Sequence, residues 1–544
     1  MFNDADLSAI AKRDGPASAW HTAFSRHGRD APKAVHGDFA VGTTAADGSV
    51  FLAVDRFAIR TMCYRIQDGA LRFSADAREL AGTAPEIDPQ AIFDYLYFHV
   101  IPSPGTIFKH VFRVPPGHCV MFHQGTLTVA PYWVPAFDEP RDVPFEALRE
   151  EFRGLLRDGV ARQLDPGIST GCFLSGGTDS STVAGLLRDV TGAPARTFSI
   201  GFDADGYDEM EYSRIAARHF GAEHHEYYIT PDDLVASIPE VAASYDQPFG
   251  NSSVLPAFYC ARLAREAGVG CVLGGDGGDE LFGGNTRYAK QRVFGIYDHL
   301  PAALRRGLLE PMAGNRTVAR LPLIRKAASY VTQAMVRMPD RMHTYNLLMR
   351  LGINEVLSAG FLAGVDADAP SRHQREVYAT CTAGSLVNRI LAYDWRYTLA
   401  ETDLPKVVGA TALAGVKTGF PLLDDRLVEF SARLPAHYKL NRLKLRWFFK
   451  EALRGYLPDQ IITKKKQGFG LPFGVWTTRD AALMRLAEDS LRSLGARGIV
   501  RGEFIDVLLK QHLHAHPGYY GEIVWIMMML EQWLQAHAPG YKAA

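Results

Sequence analysis

A chain of 544 residues with a formal net charge of -1 is too long for one hydrophobic core, and it carries no global field to draw nucleic acid or an anionic membrane. Its 47% hydrophobic and 22% charged residues exclude disorder and collagen-like repeats; six scattered cysteines with no C-x-x-C pair exclude a disulfide scaffold and a clustered zinc site. The expectation is a folded, multidomain protein of a reducing, cytoplasmic compartment, with no nucleic-acid or membrane partner.

The opening MFNDADLSAIAKRDG places charges where a secretory signal needs an apolar run. From Phe39 to Thr128, short alternating runs such as FLAVDRF and HCVMFHQGTLTV predict a layered, β-rich domain over 1–135. The Pro- and charge-rich segment VPAFDEPRDVP sustains neither period, so residues 136–144 read as a linker. A second domain, 145–544, begins with alternating strands and helices: GCFLS, a helix from Ser180 to Val190, ARTFSIGF, a helix from Met210 to Phe220, EHHEYYI, two helices reaching Ala267, and VGCVLGG. That alternation predicts a parallel sheet with helices on its faces. From about Tyr288 the pattern is predominantly helical, and the apolar run from Ile523 to Leu530, too short to cross a bilayer, predicts a buried helix.

The loop Ser175, Gly176, Gly177, Thr178, Asp179, Ser180, Ser181 falls between a buried strand and a helix whose apolar face is Val183, Ala184, Leu186, Leu187 and Val190. Free amides and the positive end of the helix dipole make such a junction an anion site; the glycines admit close approach and the serines add hydroxyl donors. Asp179 would repel a polyphosphate unless Mg²⁺ lay between them. The lysine of a G-x-x-x-x-G-K-[ST] loop is absent. The S-G-G-x-D-S-S pattern is instead similar to the pyrophosphate loop of enzymes that attack the α-phosphate of ATP, make an adenylate and release pyrophosphate.

Beyond that loop, FSIGF (198–202), YDE (207–209), GAEHHE (221–226), DQPFGNSS (246–253), GGDGGDELFGG (274–284), FPLLDDRLVEFSARLP (420–435) and KKKQGFGLP (464–472) occur in one order along the chain. Together they resemble the asparagine synthetase family, and VDRFAIR, FSADARELA and PPGH are similar to its glutamine-hydrolysing half. The resemblance implies an α/β protein: a degenerate, glutaminase-like layered domain of the Ntn-hydrolase kind, then an ATP-pyrophosphatase α/β domain with a largely helical C-terminal part. It also implies ATP and Mg²⁺. By position, Asp179 and Asp279 would hold the metal, Ser175, Gly176, Gly177, Ser180 and Ser181 the pyrophosphate, and Leu174, Ser199, Ile200 and Gly275 the adenosine. Lys466 matches the lysine that stabilises charge on the phosphates.

Two departures from the family pattern bear on the reaction. Phe2 stands where glutamine-dependent members expose a cysteine, and Cys63 lies inside VDRFAIRTMCYR, so glutamine hydrolysis is not expected and the first domain reads as a vestigial scaffold. Asp276 stands where asparagine-forming relatives have Glu and lactam-forming ones Tyr, with Lys417 in place of a common Glu; this marks Asp276 as a catalytic candidate and an altered acyl substrate.

Other candidates read as structural. His512, His514 and His516 precede Pro517 at an expected helix C-terminus, where histidine is favourable; His224 and His225 lead into a strand. Tyr393, Trp395 and Tyr397 read as core, and Lys464 and Lys465 as solvated neighbours of Lys466. The resulting expectation is an AMP- and pyrophosphate-forming amide ligase coupling a carboxylate to an amine. Its cysteine-less relatives include β-lactam synthetases and lasso-peptide macrolactam synthetases. The favoured reading is closure of a precursor peptide onto its own amine, a scheme that admits a leader peptidase or leader-binding protein as partner. An ammonia-dependent asparagine-synthetase-like or β-lactam-forming enzyme, and a nucleotide-binding scaffold without activity, are the alternatives.

Overall fold

The computed structural model describes residues 2–45, 47–139, 143–204, 206–298, 300–314, 322–465 and 470–543. The first forty residues hold two helices, Ala5–Asp14 and Pro16–His27, which the sequence reading left without structure. Seven strands follow: β1 (Ala40–Thr44), β2 (Val50–Val54), β3 (Cys63–Gln67), β4 (Ala70–Ser74), β5 (Phe112–Arg113), β6 (His118–His123) and β7 (Thr126–Pro131). They form two antiparallel sheets, in the orders β1-β2-β6-β7 and β4-β3-β5. Alternation along β2 explains the layering. Val50, Leu52 and Val54 meet Tyr64, Leu71 and Val120 between the sheets, while Phe51 and Ala53 pack under Leu7, Ala23 and Phe24 of the N-terminal helices.

The second region is built on five parallel strands, β8 (Thr170–Phe173), β9 (Arg196–Phe202), β10 (Glu223–Ile229), β11 (Cys271–Leu273) and β12 (Lys417–Gly419), in the order β10-β9-β8-β11-β12. One face is covered by the helices Phe145–Arg162 and Thr178–Thr191, through Phe152, Leu156, Val183 and Leu187. The other is covered by Pro231–Ser244 and Val254–Glu266, through Ile238, Val241, Leu255 and Phe258. Strand β12 lies within the region expected to be helical. Its three residues, Lys-Thr-Gly, carry no apolar period, and only pairing with β11 makes them a strand.

Ile523–Leu530 lies inside the helix Pro517–His537, fully buried as expected. Gly474 lets this helix approach its neighbour, because a Cβ there would overlap the backbone of Pro517. Tyr95, on the helix Pro89–Phe98, donates to the Ile526 carbonyl (2.9 Å) and ties the N-terminal region to the C-terminal helix.

Candidate active site

Strands β8, β9 and β10 run outward in sequence, whereas β11 returns to the other side of β8. The loops leaving β8 and β11 therefore diverge at a topological switch point, where open α/β sheets bind ligands. The first loop is Leu174–Gly177, leading into the helix Thr178–Thr191; the second is Gly274–Gly277. Gly176 has φ +67°, and a Cβ there would overlap the backbone of Tyr212 on the next helix. Gly275 brings the loops together: a Cβ would stand 2.8 Å from the Ser180 amide nitrogen.

Between them opens a cavity of about 970 Å³, at the upper end of the range for small-molecule sites. Leu174, Ser175, Gly177, Asp179, Ser180, Ser199, Ile200, Gly275, Asp276 and Asp279 all line it, as does Thr178, which the sequence reading passed over. Gly176 and Ser181 do not line it. Ser181 is fully buried with no hydrogen-bond partner for its hydroxyl, so its place is the helix interior. Gly177 caps the helix without a side-chain bond, leaving first-turn amides as donors toward the cavity.

Asp179 and Asp279, in the first turns of the helices that follow the two loops, converge onto one cation, the guanidinium of Arg446. Its Nη1 donates to Asp179 Oδ2 (2.6 Å) and Asp279 Oδ1 (2.9 Å), and its Nη2 to Asp179 Oδ1. Two carboxylates sharing a positive charge are a hard-donor set that fits Mg²⁺, which Asp179 and Asp279 would hold. Among the described residues no group of three or more His, Cys, Asp or Glu is placed to hold a metal.

Across the cavity, Asp276 lies 3.7 Å from Lys406 Nζ, which also pairs with Asp403 at 3.0 Å. Burial pushes the Asp276 carboxyl up to about 6 against the pull of Lys406, and burial with the neighbouring charges of Asp403 and Asp394 pushes Glu280 up as well. Asp403 and Thr398 reach the cavity from a π-helical stretch, Trp395–Asp403, whose wide turn sets this wall. Arg446, Lys450, Lys406 and Thr398 were not foreseen; the pair Arg446 and Lys450, four residues apart where a helix begins, was the one signal available.

Lys466 lies outside the described residues. Lys464 corrects the reading of a solvated triplet: its side chain is buried, pairs with Glu209 (3.2 Å) and sits over Tyr212 at 4.3 Å, and burial lowers its pKa. Tyr393, Trp395 and Tyr397 are buried, as expected, and Trp395 donates to the Glu280 carbonyl (2.9 Å) behind the cavity. His224 bonds the Thr197 hydroxyl (2.8 Å), His225 stacks on Phe198, and His512 stacks on Tyr520.

The match to known families decides what this cavity belongs to. Residues 151–535 match the asparagine synthase family and residues 19–133 the glutamine amidotransferase domain. The chain belongs to the asparagine synthase family. It is 26% identical over 541 residues to a "Putative asparagine synthetase [glutamine-hydrolyzing]" of Mycobacterium tuberculosis, covering 96% of this chain and 80% of that one. It is 23% identical over 491 residues to "Asparagine synthetase [glutamine-hydrolyzing] 1" of Bacillus subtilis, covering 90% and 75%. With "Amidase chyE" of Penicillium rubens it shares 23% over 490 residues, covering 81% and 70%. As a member of the family the protein is an ATP-dependent carbon–nitrogen ligase, and the family works with ATP and Mg²⁺. No described helix is long and apolar enough to cross a membrane.

Proposed function

We propose that the enzyme adenylates a carboxylate carried on a peptide and closes it onto an amine of the same peptide, forming a macrolactam without hydrolysing glutamine. The observation that carries this reading is the state of the thiols. Burial raises the pKa of all six, Cys63, Cys119, Cys172, Cys260, Cys271 and Cys381. A glutaminase needs a thiolate beside a base, and burial disfavours the thiolate form of each of these. An amine already tethered to the acyl group removes the need for released ammonia and gains effective molarity from its placement.

In this scheme the first-turn amides of Thr178–Ser180 with Ser175 and Ser180 hold the pyrophosphate, Leu174, Ser199, Ile200 and Gly275 frame the adenosine, and Asp179 and Asp279 hold Mg²⁺. Bound there, Mg²⁺ would neutralise the phosphates. Lys466 steadies charge on the leaving pyrophosphate, and Asp276, whose raised pKa makes it a stronger base, takes the amine's proton. A second reading, ammonia-dependent formation of a small amide, draws support from relatives named as asparagine synthetases.

Carboxylate-dependent ATP–pyrophosphate exchange separates the readings. Exchange with a linear precursor peptide, with AMP as the nucleotide product and loss of one water mass from the peptide, is expected. Exchange with aspartate and ammonia alone would remove the cyclase; ADP as product would remove adenylation altogether.

A further inference from the structure

The cation between Asp179 and Asp279 is supplied by the chain itself, and its surroundings are built for it. Arg446 occupies a left-handed conformation (φ 53°, ψ 36°) at the start of the helix Trp447–Ala452, and its backbone N–H donates to Gly283 O (3.1 Å). A non-glycine residue held there is strained, so its placement is imposed by the contacts around it. The opposite wall is made of glycine. A Cβ on Gly278 would stand 2.9 Å from Arg446 Nη2 and overlap Asp179 Oδ1; one on Gly284 would stand 2.5 Å from Arg446 Cδ and overlap Asp279 Oδ1. The guanidinium lies over the Phe449 ring at 4.3 Å, the side chain is only 7% exposed, and its Nε is buried with no hydrogen-bond partner.

Such an arrangement penalises any cation that arrives from solvent alone. A divalent ion that took both carboxylates would strand a buried guanidinium, stripped of its counter-charges, beside a like charge. A triphosphate arriving with the metal removes that penalty, because its oxygens give the displaced guanidinium new acceptors, bidentate and charge-assisted. The unpartnered Nε is then available as a further donor.

Resting on the ATP–Mg²⁺ reading of this site, we propose that Arg446 is an exchangeable internal counter-ion. It holds the two metal aspartates together before nucleotide binds, excludes Mg²⁺ that arrives alone, and passes to the phosphates when metal and nucleotide arrive together. Metal and nucleotide binding are thereby coupled through one side chain, and the coupling is reciprocal. Arg446 is a positioning and selectivity residue for the metal nucleotide.

The test is direct binding of Mn²⁺, followed by electron paramagnetic resonance, with no turnover involved. Without nucleotide, Arg446→Met should bind Mn²⁺ at least about tenfold more tightly than the wild type. Arg446→Lys, which keeps a charge without the bridging fork and guards against misfolding of the first variant, should fall between them. With α,β-methylene-ATP present, the wild type should gain Mn²⁺ affinity by at least about tenfold and Arg446→Met by clearly less. Equal Mn²⁺ affinities in wild type and both folded variants without nucleotide, whether tight or undetectable, overturn the proposal. If the analogue fails to bind the wild type at all, the nucleotide reading itself fails. Intact analogue binding with equal Mn²⁺ affinities removes only the role of Arg446.

Discussion

At the scale of single residues, the cavity is a balance of opposed charges, and its two walls behave differently. Asp179 and Asp279 both pair with Arg446. Replacing Asp179 with Ala should lower ATP–pyrophosphate exchange by at least about 10²-fold while the circular dichroism spectrum is retained, and Lys466→Met should cost about 10²–10³-fold in the same assay. Asp276 sits on the wall where desolvation prevails. Its carboxyl titrates at about 6 in the folded chain against an ordinary value of 3.8, so the folded state binds its proton more readily than the unfolded state does. The stability it contributes is present in acid and is lost as pH rises through that window. In Asp276→Asn, the fall in melting temperature between pH 4 and pH 7 should shrink, by an amount corresponding to roughly 1–3 kcal/mol; an unchanged profile would show that Asp276 does not titrate there. The loop motif from Ser175 was legible because its chemistry is local. Arg446 was not, because it meets Asp179 from 267 positions away in sequence.

Individual elements are held in place by close backbone approach. Gly176 turns the chain with a positive φ and lies against the backbone of the helix Met210–Phe220. Gly176→Ala should destabilise the protein by about 1–3 kcal/mol in urea unfolding and weaken nucleotide binding, since the strain falls on the phosphate loop itself. The helices Thr178–Thr191 and Met210–Phe220 were readable to within two residues from apolar spacing and loop signals, whereas β12 was not. A three-residue strand owes its existence to a neighbour's hydrogen bonds, and nothing in Lys-Thr-Gly favours it. The π-helical stretch Trp395–Asp403 is similar: its residues read as core, correctly for Trp395 and Tyr397, while the wide turn that swings Thr398 and Asp403 to the cavity depends on tertiary packing.

Across the whole molecule, the N-terminal region is locked to the synthetase region by buried charge. Glu401 accepts from the Ser103 hydroxyl (2.7 Å) and pairs with Arg113 (2.8 Å) and Arg396; Asp425 accepts from the Gly37 amide (2.9 Å) and pairs with Arg56 (3.1 Å). Trp395 packs against Phe57, Trp133 and Phe137, and Glu139 accepts from the Gly384 and Ser385 amides, so Phe137 and Glu139 are held against the synthetase region. Removing Arg113 leaves part of a buried charge uncompensated, and Arg113→Ala should lower stability by about 3–5 kcal/mol and expose the 101–113 loop to limited proteolysis. Under the proposed function, in which the N-terminal region hydrolyses no glutamine, Cys63→Ala should leave ATP–pyrophosphate exchange unchanged. The sequence alone determined the parallel sheet, the strand–loop–helix junction at Ser175 and the family motifs, because apolar periodicity and short-range loop chemistry are properties of neighbouring residues. Only the tertiary structure decided which cation faces Asp179 and Asp279, which lysine is buried, and what shapes the acidic wall around Asp276. Those depend on charges brought together from distant parts of the chain, where desolvation and long-range contacts set the energies.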